Sequence, residues 1–420
     1  MSRFLIAASA LTLAASASAA VSWMPTSPLI QVGDDLDIFT DSSLAVETTD
    51  NLYSQATGVS ATFFTISPGI TLEYGRETGL ELILLARRGF VQFADSDLSD
   101  LDDVRDFLSA KARLSTGGPL TVSIDASYRE TARNDDLATQ GITGAVIGAN
   151  LLRQANYNQS INAEYRLTEK MQVKLGASRA YNHYKDPTIV VNGALQTFNT
   201  NALTETDTVS VPLDIEYQAF EKLWFGFRYQ REQADYSAAP YFDSSGALRP
   251  ALPGRLNKDF YGLTTRGQLT ESGKLSATAR LGWLEFQNEG AASDSVPSWS
   301  VSLNHTLTER LSHSLTLSRD VTASSTGGQN DSTAYTYGMN MNSGEGLTFN
   351  LSVTRNETGA LNAGVTTDVA TMVYTLGADF KYNDHLTFNA GYNFTASRIA
   401  GNSASNFSSN TLTLSAALRY

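Results

Sequence analysis

Four histidines, no cysteine and one dense run of aspartates are the side chains of this sequence best suited to chemistry. The histidines stand at 183, 305, 313 and 385, and none sits in a zinc-binding helix motif, a nucleophile elbow or a phosphate-cradling glycine loop. Without cysteine there is no thiolate nucleophile and no disulfide framework. His183, in Asn182-His183-Tyr184-Lys185-Asp186, is the one candidate for a loop acid or base. A lone imidazole lacks the orienting partner that such work requires, so a solvated histidine is the better reading. The expectation is a protein with no catalytic residue and no cofactor. Asp95, Asp97, Asp100, Asp102 and Asp103 crowd one segment, and carboxylate oxygens suit a hard cation such as calcium. Their spacing is not that of a calcium-binding loop and no glycine marks the turn, so a solvated acidic loop is expected there and no metal.

A second set of charged residues has a more ordered spacing. Arg105, Lys111, Arg113, Asp125, Arg129, Glu164, Arg166, Lys174, Asp214, Glu216, Arg228, Arg266, Arg280, Asp379 and Lys381 fall on one parity of segments whose other parity is apolar. Leu120, Val122, Ile124, Ala126 and Tyr128 alternate with Thr121, Ser123, Asp125, Ser127 and Arg129. Leu347, Phe349, Leu351 and Val353 alternate in the same way with Thr348, Asn350, Ser352 and Thr354. Side chains of a strand point to opposite faces in turn, so this period of two assigns one face to lipid and one to water.

The elements that must carry this pattern are long strands joined by connections of two kinds. Short ones read Gly75-Arg-Glu-Thr-Gly79, Ser115-Thr-Gly-Gly-Pro119, Thr168-Glu-Lys170, Phe220-Glu-Lys222, Thr270-Glu-Ser-Gly273, Thr308-Glu-Arg310, Asn342-Ser-Gly-Glu-Gly346 and Asn383-Asp-His385. They are built from turn-forming and charged residues and alternate with longer polar segments. The predicted fold is all-β: a transmembrane antiparallel up-and-down β-barrel of eighteen strands, with sixteen as the alternative. Short periplasmic turns and long extracellular loops complete it. Asn192-Gly193, between Thr188-Ile-Val-Val191 and Ala194-Leu-Gln-Thr197, predicts a hairpin within one long loop. Tyr74, Tyr165, Tyr217, Trp224, Trp283, Trp299, Tyr382 and Tyr392 stand near strand ends, where two interfacial girdles are expected.

Residues 1–20 combine Arg3, a short apolar run and the alanines at 17, 19 and 20, the pattern of a cleaved secretory signal peptide. Residues 21–34, with Trp23, Pro25 and Pro28, form a periplasmic lead-in, and 35–420 the barrel. The net charge of −13 excludes a nucleic-acid binder, since phosphate would repel the chain. The last strand places Leu414, Ala416, Leu418 and the terminal Tyr420 on one face.

Signal peptide, whole-length alternation, asymmetric connections and terminal aromatic together resemble the β-barrel porin family sometimes linked to exopolysaccharide export. That family's last strand more often ends in phenylalanine. The resemblance implies an outer-membrane channel in a Gram-negative-type cell, passing hydrophilic solutes or a polysaccharide strand. It also implies outer-membrane lipids and the barrel-assembly machinery as partners, the latter reading Leu414, Ala416, Leu418 and Tyr420. A surface scaffold or adhesin acting through its loops is the alternative, and an outer-membrane hydrolase using His183 is a more remote one. Oligomeric state is not legible.

Overall fold

The computed structural model describes residues 28–54, 58–75, 79–115, 117–132, 153–185, 188–191, 194–197, 205–237, 241–242, 248–249, 254–290, 292–323, 329–344, 346–361, 369–400 and 406–420. Eighteen staves follow one another in chain order, each hydrogen-bonded antiparallel to the next, and the last pairs with the first. We number them β1 Leu36–Thr49, β2 Ala61–Tyr74, β3 Leu80–Phe93, β4 Asp103–Ser115, β5 Leu120–Ala132 and β6 Arg153–Thr168. Next come β7 Met171–Lys185, β8 Glu205–Phe220, β9 Leu223–Ser237, β10 Gly254–Gln268, β11 Leu275–Asn288 and β12 Asp294–Thr308. The last six are β13 Leu311–Ala323, β14 Gln329–Asn342, β15 Leu347–Leu361, β16 Val369–Lys381, β17 Leu386–Ile399 and β18 Phe407–Arg419. The closing register runs from Asp41 opposite Arg419 to Thr49 opposite Thr411, which removes every free sheet edge. Eighteen is the expected count, and the even number brings both ends of the barrel chain to the short-turn rim. Among the described residues no helix is long and apolar enough to cross a membrane, so the strands do the crossing.

Local chemistry explains the breaks and turns. Pro68 has no N–H to give the ladder and divides β2 into Ala61–Ser67 and Gly69–Tyr74; its carbonyl still accepts the Arg88 N–H at 3.0 Å. Thr168 Oγ1 accepts the Lys170 N–H at 3.2 Å, and Thr308 Oγ1 accepts those of Arg310 and Leu311 at 3.2 and 3.0 Å. Both hydroxyls close turns that share a register shift just before them. Beyond the opposite rim Thr188–Val191 pairs with Ala194–Thr197, the predicted hairpin strands, while Asn192 and Gly193 lie outside the described residues. Ile30–Val32, within the expected lead-in, pairs with Leu36–Ile38 of β1.

The outer wall is a belt of exposed large apolar side chains, Leu44, Leu108, Ile124, Ile161, Leu175, Val211, Leu263, Leu281 and Leu414 among them. A water-soluble protein does not display so much contiguous apolar surface; a membrane-spanning barrel requires it. The staves of β6 and β8, at 16 residues, exceed the roughly 9–11 needed to span a bilayer. Towards the long-loop rim the polarity reverses without any change of parity. On β9 to β11 the outer positions become Arg231, Asp235, Asp259 and Glu285, while Ala234, Tyr236, Leu256, Phe260, Leu284 and Phe286 form an apolar cluster within. A second inner cluster joins Phe63, Val91 and Phe93 to Leu52 and Tyr53, with Leu98 and Leu101 packed against it. The segments 50–54 and 94–102 thus fold against the inner wall of β2 and β3.

Two expectations require correction. Trp224 does not join a girdle: on β9 the lipid parity belongs to exposed Phe225 and Phe227, and Trp224 faces the lumen beneath the guanidinium of Arg266, 5.0 Å from its ring. His183 is not a loop residue but stands on β7, where its Nδ1 meets Glu205 of β8.

Candidate functional site, the lumen wall

The candidate site is the inner face, and its two halves differ in chemistry. All fourteen candidate lining residues, Lys111, Arg113, Asp125, Arg129, Glu164, Arg166, Lys174, Asp214, Glu216, Arg228, Arg266, Arg280, Asp379 and Lys381, share the parity opposite the apolar belt, as does Arg105. Twelve of them lie on β4 to β11, and only Asp379 and Lys381, both on β16, lie on the far side. Facing the charged wall, the inner positions of β14 to β18 are mostly Ser, Thr and Asn, with Asp379, Lys381 and Arg419 as the charged exceptions. They bridge neighbouring staves through Thr336 with Thr354 at 3.2 Å, Thr371 with Ser397 at 3.4 Å and Thr375 with Asn393 at 3.2 Å.

Across four adjacent staves the register sets Glu164, Lys174, Asp214 and Arg228 directly opposite one another, alternating in sign. Arg228 holds Asp214 at 3.2 Å, while Lys174 reaches diagonally to Glu216 at 3.0 Å. Glu216 is the hub, receiving also Arg266 at 2.9 Å and the Gln172 amide. Arg266 comes from two staves away, across β9, where Trp224 stands opposite it and Gly226 lies opposite Glu216 on one side and Thr264 on the other. A Cβ at 226 would fall 2.7 Å from the Ile215 carbonyl oxygen, 2.8 Å from Thr264 Oγ1 and 3.0 Å from Glu216 Cγ, so the close packing of these groups requires glycine there. Further up the same wall Lys258 pairs with Glu232 at 2.6 Å and donates to the Val321 carbonyl at 3.0 Å, and the Arg280 guanidinium lies 4.6 Å from the Phe260 ring.

Sequence reasoning missed several inner ion pairs whose parity made them findable. Arg87 of β3 reaches over Gly69 to Asp41 of β1, and Arg419 of β18 reaches over β1 to Glu73 of β2. At the short-turn rim Lys381 donates to Asp384 at 2.6 Å, which holds that turn carboxyl below the usual carboxylate range.

Cations outnumber carboxylates on the inner face of β3 to β11, although the chain as a whole is acidic. Among the described residues Lys111, Arg113 and Arg166 are exposed and make no ion pair, although Asp125 stands opposite Lys111 in the register. The aspartates of residues 95–103 are not gathered about a point. Asp95 accepts the Asp97 N–H, Asp102 accepts the Phe93 N–H at 2.8 Å, and Asp103 pairs with Arg105 at 3.2 Å and with Arg153. They cap a 3-10 turn at Ser96–Leu101 and fasten it to β3 and β4; no cluster of three or more metal-binding His, Asp or Glu occurs among the described residues.

No protein-family model matches the chain, and no curated protein matches its sequence. Among solved structures it is similar to the outer membrane protein OpdK of Pseudomonas aeruginosa, with 14% identity over 91% of this chain and 99% of the other and a TM-score of 0.46. The siderophore receptor PiuA of Acinetobacter baumannii matches with 11% identity over 94% and 82%, TM-score 0.46. The ferric-catecholate import receptor Fiu of E. coli matches with 8% identity over 93% and 82%, TM-score 0.49.

Proposed function

We propose that the protein is an outer-membrane channel for hydrophilic solutes, with its short turns on the periplasmic side and its long loops outside the cell. The observation that carries this reading is the lumen wall, where exposed Lys111, Arg113 and Arg166 on one side face a lining of Ser, Thr and Asn on the other. Such a surface solvates polar cargo by replacing water hydrogen bonds, and its excess of cations favours anions among small ions. Among the described residues nothing on the inner wall assembles a nucleophile with a base, which supports transport rather than hydrolysis. A polysaccharide strand is the cargo that the family resemblance implies. The hydroxyl and amide lining would serve it as well as smaller solutes.

The test is to refold the chain, verify the barrel by its heat-modifiable mobility, insert it into a planar bilayer and record current in a salt gradient. Discrete steps with a reversal potential on the anion side are expected. Block of those steps by neutral oligosaccharides would extend the reading to carbohydrate. A folded barrel that conducts nothing would overturn it in favour of a scaffold acting through its loops.

A further inference from the structure

The lipid-facing wall contains one constellation that a channel does not need. His305 of β12 and His313 of β13 stand directly opposite each other, and the next stave places Met339 directly opposite His313. His305 Nδ1 lies 3.0 Å from His313 Nε2, with the ring centroids 5.0 Å apart. The three residues share the outer face, as shown by the exposed neighbours Leu307, Leu315 and Met341. They lie close to the Thr308–Leu311 turn, at the rim where exposed Tyr165 and Tyr217 mark the interface on other staves. Ionisable side chains on a lipid-facing wall are costly, and such a pair is unexpected unless it has a use.

We infer that this row is a binding site for a soft monovalent metal cation of the copper(I) type, with His305 Nδ1 and His313 Nε2 as ligands and the Met339 thioether as the third. One ring nitrogen donates its hydrogen to the other across this gap, and an ion that displaces that hydrogen would meet both nitrogens. With metal–nitrogen bonds of about 2.0–2.1 Å, two imidazoles on one ion stand roughly 2.9–3.4 Å apart for ligand angles between a right angle and the tetrahedral value, so the observed 3.0 Å fits without moving a strand. The third ligand sets the preference. Among the described residues no three of His, Asp and Glu come together to suit a harder ion. Two of the chain's six methionines, Met339 and Met341, alternate along β14 beside the imidazoles instead. Thioether sulfur selects copper(I), and the unbranched methionine side chain has the torsional freedom to swing onto an ion. The interfacial height lets an ion arrive from the headgroup layer without crossing the apolar belt. The inference goes beyond the channel reading and does not depend on it.

The test uses the refolded full chain in detergent, titrated anaerobically with copper(I) against a chromogenic copper(I) chelator. One equivalent withheld from the chelator is expected. His305→Ala and His313→Ala should each abolish it, whereas the same change at His183 or His385 should not. Met339→Leu should weaken copper(I) binding by roughly 10–100-fold, the loss common when a group supporting a metal is removed. Heat-modifiable mobility of each variant verifies that the barrel is folded, and planar-bilayer current should be the same for all of them. A folded wild-type chain that yields all its copper, or a His305/His313 double variant that withholds as much as wild type, would overturn the site. Wild-type affinity in Met339→Leu would overturn the thioether ligand.

Discussion

Arg266 forms an ion pair at 2.9 Å with Glu216, although a complete stave stands between them, and its guanidinium lies 5.0 Å from the ring of Trp224 on that stave. The pair joins β8 to β10 on the inner face, a span that backbone hydrogen bonding alone does not cover. Gly226 lies opposite Glu216 on the intervening stave, and replacing it by valine should crowd Thr264 and the Glu216 side chain that receives Arg266. Overpacking of this kind costs about 1–3 kcal/mol. Urea titration of the refolded barrel in lipid should show that loss. Glu216→Gln, which keeps the volume, should leave the fold intact and move the reversal potential further towards anions.

Lys111, Arg113 and Arg166 are exposed inner cations that a permeating ion meets with no carboxylate bound to them among the described residues. A unit charge at contact distance in water is worth about 1 kcal/mol, or about fivefold in local ion concentration. Charge reversal to glutamate at all three positions should therefore bring the salt-gradient reversal potential to zero or to the cation side, with single-channel conductance little changed. The difference between wild type and variant should shrink as salt rises towards 1 M, where the screening length falls to about 3 Å. A reversal potential indifferent to all three substitutions would show that selectivity is set elsewhere.

The segment 94–102 folds against the inner wall because Leu98 and Leu101 pack on the cluster of Val91 and Phe93. Asp95 caps the turn, Asp102 accepts the Phe93 N–H, and no three carboxylates meet among the described residues, so added calcium should leave stability and current unchanged. Leu98→Ser together with Leu101→Ser should release the segment from the mouth and raise single-channel conductance. Equal conductance would mean that the segment does not restrict the pathway.

What the sequence discloses and what it withholds follow from the range of each interaction. Period two in stretches such as Leu120 to Tyr128 is a property of one strand, so the inward face of strongly alternating staves was legible, and so was the stave count. Trp224 was misplaced because a strand-end aromatic looks interfacial on either parity; anchoring the parity on Phe225 and Phe227 would have turned it inward. Pairing between staves is a different matter. That His305 meets His313 depends on the register shift between Thr306 and Thr308, which single-strand periodicity does not contain. The reach of Arg266 to Glu216 depends on the register of two successive stave pairs, a relation spread over 50 residues of sequence.

The closure seam gives the last prediction. Arg419 on β18 spans β1 to reach Glu73 on β2, with its guanidinium 3.7 Å from the centroid of Phe39 on the stave it crosses. Arg87 on β3 spans β2 to reach Asp41 on β1. Each pair skips one stave, and the two overlap, so the first and last strands are held from the inside as well as by their ladder. Arg419→Ala should lower the unfolding free energy by about 1.5–3 kcal/mol, the range for a hydrogen bond to a charged group. Glu73→Gln should lower it by less, since an amide oxygen still accepts. If the pair acts as a clamp, the combined substitution will cost less than the sum of the two. Strict additivity between Arg419 and Glu73 in the urea titration would show that their contact does not hold the seam.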